Sequence, residues 1–273
     1  MTVIAMTREM GTLGKEVAQG IADTLGLKVI HSELVEHDVA GKLGLQDSAV
    51  HRFLEGGASL LERWTVNKNK LARCTGEEIF ELAHQGNVVI RGWGAVSVLR
   101  QIPHVLRVRV CAPMQFRERV MMDRLGRQEP SLAHDEIVKN DAAHAELTRR
   151  FFKTDWEDAQ NYHLVLNTGA VPIDTCVRCI RLFADDPAFQ ETEAARAMLA
   201  DKLIEHRVQP IISKFFGNPD DIDVNVAGGR LVLSGAVGHN SPSRELTTAC
   251  LGLAGVKTVV NNITETGEPI GGL

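Results

Sequence analysis

The sequence predicts an α/β protein with a mostly parallel sheet and flanking helices, followed by a small α-β-β-α-β domain. Short aliphatic runs alternate with longer helical stretches up to about residue 182, the rhythm of strands joined by crossover helices. Beyond a polar, Ala-rich stretch at 190–196 the pattern changes to a helix and a hairpin. We therefore expect domains at 1–185 and 198–266, a linker at 186–197 and a tail at 267–273.

Four short strands are predicted in the first domain. They are the aliphatic runs at 2–6, 87–91, 106–111 and 164–167. The helix after the first strand follows Gly14, because Val17, Ile21 and Leu25 recur at helical spacing and Gly26 supplies a stop. Further helices are expected at 77–84 and 175–183.

The second domain begins with a helix that carries Leu199 and Leu203. Residues 222–226 alternate apolar and polar, Gly228-Gly229 turns the chain, and 231–237 makes a second strand. Ser243 is expected to cap a helix that ends at Gly255, and 257–263 is a third strand.

Composition and charge restrict the function classes. With 44% hydrophobic and 24% charged residues among 273, the chain can bury a core, which is mostly aliphatic because aromatic residues make up 5%. The net charge of -5 argues against broad binding to nucleic acid, although a local basic cleft could still bind phosphates. No apolar run approaches the ~20 residues of a membrane span, and we expect a cytoplasmic protein.

The five cysteines are odd in number and scattered, which favours reduced thiols over disulfides. Cys176 and Cys179 have the spacing of half a metal site, but no second pair accompanies them. We interpret this pair as two partly buried helix residues, and the sequence does not identify a metal site.

The main chemical signal is the turn after the first strand. Glycines at a strand-to-helix turn let backbone N–H groups converge on a phosphate, and a Lys in the first helical turn reaches the outer phosphates. Against the phosphate-loop pattern G-x-x-x-x-G-K-[ST], Gly14 and Lys15 match, whereas Glu9 and Glu16 replace the first Gly and the hydroxyl residue. From the motif alone, an ordinary glycine-containing turn is equally acceptable.

The wider sequence resembles the cytidylate kinase-like family, a branch of P-loop nucleoside monophosphate kinase-like (NMP-kinase-like) proteins. Residues 7–16, Thr-Arg-Glu-Met-Gly-Thr-Leu-Gly-Lys-Glu, are similar to the family's Ser-Arg-Glu-x-Gly-Ser-Gly-Gly-Arg-Glu loop, so Glu9 and Glu16 fit the family. The similarity continues in ordered blocks at 88–92, 105–113, 117–121, 153–156 and 161–168. It implies a P-loop NMP-kinase-like parallel sheet over about the first 180 residues.

The resemblance implies a nucleotide site, with ATP and Mg²⁺ as cofactors. The residues that would bind the nucleotide are Arg8, Gly11, Thr12, Gly14, Lys15 and Glu16. Those that would stabilise phosphoryl transfer are Lys15, Arg119, Arg124 and Arg149, because transfer needs positive charge around the phosphoryl group. Arginines 117, 119, 124, 127, 149 and 150 resemble a mobile lid, and a solvated face whose arginines pair with Glu118, Asp123 and Glu129 is the alternative.

Three positions depart from the family pattern. Ser32 replaces an expected Asp, with Glu33 or Asp38 as the nearby carboxylates, and Gly92-Trp93-Gly94 replaces a Gly-Arg step, with Arg91 one place early. His144 stands where Asp-x-x-Arg members carry Arg and weakens a cation of the lid. These changes indicate retained nucleotide binding with altered or lost transfer.

The C-terminal segment resembles a BON domain, which is credited with binding phospholipid membranes or other proteins. The blocks that carry the similarity are 222–226, 229–237 and 255–263. Its acidic balance favours a protein partner over anionic lipid, with Arg230 and the loop 239–242 as candidate contacts.

Three hypotheses follow for the whole protein. The first is an ATP-dependent phosphotransferase of the nucleoside monophosphate (cytidylate) kinase-like class. The second is a catalytically weak or inactive nucleotide sensor whose BON-like domain contacts a protein or a membrane. The third is a structural adaptor that binds no nucleotide, and none of the three involves nucleic acid.

Overall fold

The computed structural model describes residues 1–31, 68–92, 94–126, 129–216, 221–238 and 242–266. The chain divides into two compact units, Met1–Thr192 and Glu193–Leu273. Residues 186–197, expected as a linker, contain the 3₁₀ turn Pro187–Phe189 and the first residues of a helix that begins at Glu193. Several positions from the sequence analysis lie outside the described residues: Ser32, Glu33, Asp38, Trp93, Arg127, 239–241 and 267–273.

The first unit is built on a parallel sheet, as predicted, and this sheet has five strands because Lys28–Ile30 adds one to the four expected. Its strands are β1 (Val3–Arg8), β2 (Lys28–Ile30), β3 (Val88–Arg91), β4 (Val105–Cys111) and β5 (Leu164–Asn167). The strand order is β2-β3-β1-β4-β5, with every neighbouring pair parallel. β1 is therefore central, and the turn that follows it lies at the carboxyl edge of the sheet, where α/β proteins bind ligands.

Six helices accompany this sheet in the described residues. They are α1 (Gly14–Leu25), α2 (Lys68–Gln85), α3 (Ala95–Val98), α4 (Met114–Leu125), α5 (Pro130–Phe152) and α6 (Ile173–Ala184), and a 3₁₀ turn spans Ala159–Asn161. α2 begins well before the predicted 77–84, because Leu71 and Cys74 extend its buried side by two turns of otherwise polar sequence.

The core between α1, α6 and the sheet is aliphatic, as expected. Ile21 of α1 and Ile180 of α6 are fully buried, and a Cβ on Gly20 would meet Val177 Cγ2 at 2.8 Å, so a side chain there would push the two helices apart. Cys176 is buried and Cys179 half-buried on α6, both as free thiols. In the described part of the chain, no three His, Cys, Asp or Glu residues group to hold a metal ion.

The second unit has the predicted α-β-β-α-β order. Its elements are α7 (Glu193–Phe216), β6 (Ile222–Ala227), β7 (Arg230–Gly238), α8 (Ser243–Leu251) and β8 (Thr258–Thr266). β6 pairs antiparallel with β7, and β7 pairs parallel with β8. Asp201 of α7 accepts hydrogen bonds from the N–H groups of Gly228 and Gly229 at 2.8 and 2.9 Å, which fixes the hairpin turn.

Both expected ends of α8 are corrected. Ser243 is the first helical residue and Pro242 the N-cap, because the Ser243 hydroxyl instead accepts a hydrogen bond from Asn261 Nδ2 at 2.8 Å. The helix stops at Leu251 with Gly252 as its C-cap, and Gly255 lies in the turn toward β8 with φ +92°. Among the helices that the structure describes, none is both long and apolar enough to cross a membrane.

Candidate functional site

The turn between β1 and α1 presents a run of backbone donors at the N-terminus of a helix. Gly11 has φ +80° and Leu13 has φ +57°, conformations that bend the chain sharply into α1. Within the part of the chain that the structure describes, none of the N–H groups of residues 11–16 donates a hydrogen bond. These donors and the positive end of the helix dipole form a site suited to an anion.

Lys15 and Glu16 lie in the first turn of α1. The Lys15 side chain is exposed and makes no ion pair with any described residue. Glu16 Oε1 accepts a hydrogen bond from Arg124 Nη2 at 2.7 Å, whereas Glu16 Oε2 is buried and has no partner among the described residues. This pair brings one sequence-predicted arginine of α4 to the loop.

Thr12 holds the shape of the loop. Its hydroxyl, which is buried, donates to the Glu9 carbonyl at 2.8 Å, and Thr168 Oγ1 donates to the Thr12 carbonyl at 2.5 Å. Gly14 lies against Arg8, because a Cβ on Gly14 would meet Arg8 Cβ at 2.8 Å. The residues predicted to bind nucleotide therefore form one loop and the first turn of α1, and the Thr12 hydroxyl is held by the Glu9 carbonyl.

Glu9, which replaces the first glycine of the phosphate-loop pattern, is held by two buried arginines. Its Oε1 accepts from Arg109 Nη2 at 2.7 Å, and its Oε2 lies 3.5 Å from Arg117 Nη1. The same Oε2 accepts from the N–H of Ala112 at 3.3 Å. The carboxylate therefore ties the loop to β4 and α4.

Arg117 is not part of a solvent-facing lid, which corrects the sequence prediction. Its guanidinium is buried, donates to Met10 O at 2.7 Å and pairs with Asp141 of α5. Asp141 Oδ1 also accepts from the N–H of Met10 at 3.3 Å. Arg117 therefore supports the loop through buried contacts with Met10 and Asp141. The spacing of arginines in the sequence could not distinguish this arrangement from a basic, solvent-exposed helix face.

Arg119 and Arg149 are exposed and remain apart from the loop's hydrogen-bond network. Neither makes an ion pair with a described residue. Glu118, which the alternative paired with a nearby arginine, instead lies 2.8 Å from His134 Nδ1. Of the three arginines predicted to surround the phosphoryl group, only Arg124 reaches the first turn of α1 in the described residues.

A cavity of about 700 Å³, including its open mouth, lies at the carboxyl ends of β1 and β3. This β3-edge cavity is bounded by α2, α3, α5 and the segment after α5. The residues that line it are Thr7, Leu71, Ala72, Thr75, Gly92, Gly94, Ala95, Val96, Ser97, His144, Leu147, Thr148, Phe151, Phe152, Trp156 and Tyr162. Sequence reasoning missed this cavity, and the aromatic cluster at 151–156 beside the Gly92 and Gly94 turn is the signal that points to it.

His144 lies in the wall of the β3-edge cavity without a charge at neutral pH. Burial, and secondarily the positive charge of Arg8, lower the pKa of His144 to about 4. Its ring meets Trp156 edge to face, with 5.7 Å between ring centroids. Arg91, the other departure that lies in the described residues, is buried and its Nη2 lies 3.1 Å from His31 Nδ1.

Comparisons with known proteins agree on both units. The cytidylate kinase-like family matches residues 3–170, and the BON domain matches residues 193–267. A cytidylate kinase from Pyrobaculum aerophilum is 25% identical over 182 residues, which cover 65% of this chain and 90% of that protein. An uncharacterized protein from Eubacterium ventriosum superimposes with a TM-score of 0.54 at 19% identity, over 68% of this chain and 99% of that one.

The family match spans more than half of the chain and includes the loop at 7–16, the central strands and the Trp156 segment. The solved structure supports the fold of the first unit. The chain therefore belongs to the cytidylate kinase-like family and carries a C-terminal BON domain.

Proposed function

We propose that the first unit binds ATP and transfers its γ-phosphoryl group, as a phosphotransferase of the nucleoside monophosphate kinase-like class. The observation that carries this proposal is that the backbone N–H groups of residues 11–16 donate no hydrogen bond to any described residue and lie beside the exposed Lys15. Such a row at a helix N-terminus favours a polyphosphate. The similarity to a cytidylate kinase supports a kinase-like reaction.

The proposed roles follow from position. Gly11 and Gly14 keep the backbone close to the β- and γ-phosphates, Lys15 reaches the outer phosphates, and Arg8 supports the loop by packing against Gly14. Thr12 fixes the loop through its hydrogen bond to Glu9. The loop thus offers uncharged backbone donors and the cation of Lys15. Together they match the negative charge that is distributed over the oxygens of a triphosphate.

The donor set also fits Mg²⁺. Glu16 offers a carboxylate oxygen without a partner among the described residues, and carboxylate oxygens are ligands that Mg²⁺ prefers. When bound, the ion would neutralise charge on the outer phosphates. Glu16 is the residue that would hold it.

Arg124 is the proposed first cation of the transfer step because it already contacts Glu16 at 2.7 Å. Arg119 and Arg149 are proposed to join it when nucleotide is bound, since both are exposed and have no ion pair with described residues. A bidentate guanidinium matches phosphate geometry better than an ammonium group does.

The second candidate function is a nucleotide sensor that transfers phosphate poorly and reports through the BON domain. The observation that favours it is His144, which is uncharged at a position where the family resemblance implies a cationic arginine. In this reading the second unit contacts a protein partner, with a membrane as the alternative. The cytoplasm is the proposed location, because all five cysteines are free thiols.

A coupled assay of ADP release separates the two functions. The purified full-length chain is incubated with ATP and Mg²⁺, with nucleosides and nucleoside monophosphates supplied separately as acceptors. A phosphotransferase releases ADP only when an acceptor is present, and Lys15→Ala lowers that rate at least tenfold whereas Lys28→Ala on β2 retains it. ATP binding without acceptor-dependent ADP release supports the sensor instead.

A further inference from the structure

The β3-edge cavity opens beside the proposed nucleotide loop. Thr7, the residue before Arg8, lines it from β1, and Gly92 lines it from the end of β3. Neighbouring parallel strands end at the same edge of the sheet, so a molecule in this cavity lies next to the loop at residues 10–16.

No described residue that lines the cavity carries a charge at neutral pH. The described lining residues include no Asp, Glu, Lys or Arg, and the histidine among them, His144, is neutral. Five of the lining side chains have flat rings: His144, Phe151, Phe152, Trp156 and Tyr162. None of these described residues offers a charged phosphate an ion pair to offset its lost hydration, whereas a flat uncharged ring would stack against their rings.

Three buried arginines lie near the cavity: Arg91, Arg109 and Arg117. Arg91, which precedes the lining residue Gly92, has its Nη2 3.1 Å from His31 Nδ1. Arg109 Nη2 binds Glu9 at 2.7 Å, its Nη1 donates to the Trp156 carbonyl, and its guanidinium lies over the Trp156 ring at 4.7 Å. Arg117 is paired with Asp141. None of these three arginines is among the described residues that line the cavity.

The remaining polar groups of the lining suit an uncharged ligand. Trp156 Nε1 donates to Thr7 Oγ1 at 2.8 Å and the Tyr162 hydroxyl donates to the Trp156 carbonyl at 2.6 Å, which fixes the aromatic wall. The side chains of Thr75, Thr148 and His144 make no hydrogen bond with any described residue, which leaves hydroxyl and imidazole groups for the polar edges of a ligand.

We propose that the β3-edge cavity binds a nucleoside, rather than a nucleoside monophosphate, as the phosphoryl acceptor. The proposal rests on the proposed function for its donor, a nucleoside triphosphate in the adjacent loop. The base stacks against the aromatic side chains, the hydroxyls of Thr75 and Thr148 bind its polar edges, and a sugar hydroxyl faces the loop. This acceptor differs from the one that the resemblance to cytidylate kinases implies.

The transfer balances without a further reactant. A lone pair of the nucleoside hydroxyl oxygen forms the new bond to the γ-phosphorus, and the bond from that phosphorus to the β–γ bridging oxygen breaks. The electron pair leaves with the nucleoside diphosphate, and the hydroxyl proton passes to water. The products are a nucleoside monophosphate and a nucleoside diphosphate.

Calorimetry on the full-length chain tests the acceptor class directly. Cytidine, uridine, adenosine and guanosine are each titrated against their 5′-monophosphates, with and without a saturating non-hydrolysable ATP analogue. We expect at least one nucleoside to bind at least tenfold more tightly than its monophosphate. The proposal is overturned if no nucleoside binds, or if every monophosphate binds as tightly as its nucleoside. The titration with the analogue alone measures the donor site, so failure of the proposed function is seen separately.

Two variants of His144 locate the preference in the cavity. His144→Arg adds a cation to the wall and is expected to shift the ratio of the two dissociation constants at least tenfold toward the monophosphate, whereas the uncharged His144→Gln keeps the preference for the nucleoside. If His144→Arg does not fold, Phe151→Ala provides the test, because it removes a stacking ring and should weaken nucleoside binding about tenfold. Leu182→Ala, an exposed change on α6, is the matched control. Unchanged nucleoside affinity in Phe151→Ala would overturn the assignment.

Discussion

The Glu9 carboxylate accepts a hydrogen bond from Arg109 Nη2 at 2.7 Å, and both side chains are largely shielded from solvent, 14% and 7% exposed. Arg109 also lies over the ring of Trp156, 4.7 Å from the ring centroid. Burial lowers the pKa of Arg109, but the hydrogen bond and charge of Glu9 outweigh it and the net shift is upward. The pair therefore joins the proposed nucleotide loop to the wall of the β3-edge cavity.

Replacing Glu9 should be strongly destabilising. Glu9→Gln leaves the charges of Arg109 and Arg117 without their shared carboxylate, and breaking a buried pair costs about 3–5 kcal/mol. Urea unfolding followed by circular dichroism measures the loss. Glu16→Gln is the matched control, because the Glu16–Arg124 pair is about two-fifths exposed and such pairs contribute about 0–1 kcal/mol. Equal losses in the two variants would contradict the importance of burial.

Stability should fall as the pH drops from about 6.5 to 4. The pKa of His144 is lowered from 6.5 to about 4 by burial and by Arg8, so the unfolded chain binds the proton more readily in this interval. Protonation therefore favours unfolding, by up to about 3 kcal/mol for this group. Burial and Arg107 lower the pKa of His163 to about 4 as well.

The substitution His144→Gln should remove part of this pH dependence and leave the share of His163. The measurement is the free energy of unfolding in urea at pH values between 4 and 7. A variant whose stability falls as steeply as that of the wild type would show that His144 is protonated equally in both states.

Lys153→Gly should stabilise the first unit. Lys153 is exposed and ends α5 with φ +54°, a left-handed conformation that costs a residue with a Cβ about 1–2 kcal/mol and glycine almost nothing. We expect a gain of about 1 kcal/mol in thermal or urea unfolding. Lys139→Gly, an exposed change inside the same helix, should lower stability by about 1 kcal/mol. A loss in both variants would contradict the assigned end of α5.

Asp201→Ala should loosen the hairpin between β6 and β7. The carboxylate accepts the N–H groups of both glycines in the turn, and each lost hydrogen bond to a charged group costs about 1.5–3 kcal/mol. Hydrogen exchange on the full-length chain should show faster exchange at Gly228 and Gly229. Asp223→Ala on β6 is an exposed comparison, and equal protection of the turn in all three proteins would contradict the role of Asp201.

Four strands of the first unit and the element order of the second were predictable because periodicity within short windows reveals them, whereas the three-residue β2 was not predicted. Val17 and Ile21 reveal the buried side of α1, and the alternation at 222–226 reveals β6. The start of α2 was not predictable, since its first turns are polar and are held by the tertiary packing of Leu71 and Cys74. Helix propensity alone does not locate such a start.

The loop at residues 9–16 was predictable from glycine spacing, whereas its supports were not. Arg109 and Arg117 reach Glu9 across about a hundred residues of sequence, and local spacing carries no information about such contacts. The β3-edge cavity was missed for the same reason, because Thr75, Gly94 and Phe151 come from three separate elements.

Calorimetric titration of ATP into the full-length chain tests the central claim, that the backbone N–H groups of residues 11–16 and Lys15 bind the phosphates of a nucleotide. The wild type and Lys28→Ala should bind ATP with the same affinity, and Lys15→Ala should bind it at least tenfold more weakly. Inorganic tripolyphosphate should compete with ATP in the wild type, because the loop contacts the phosphates. Absence of ATP binding by the wild type, or equal affinity in Lys15→Ala, would contradict the account.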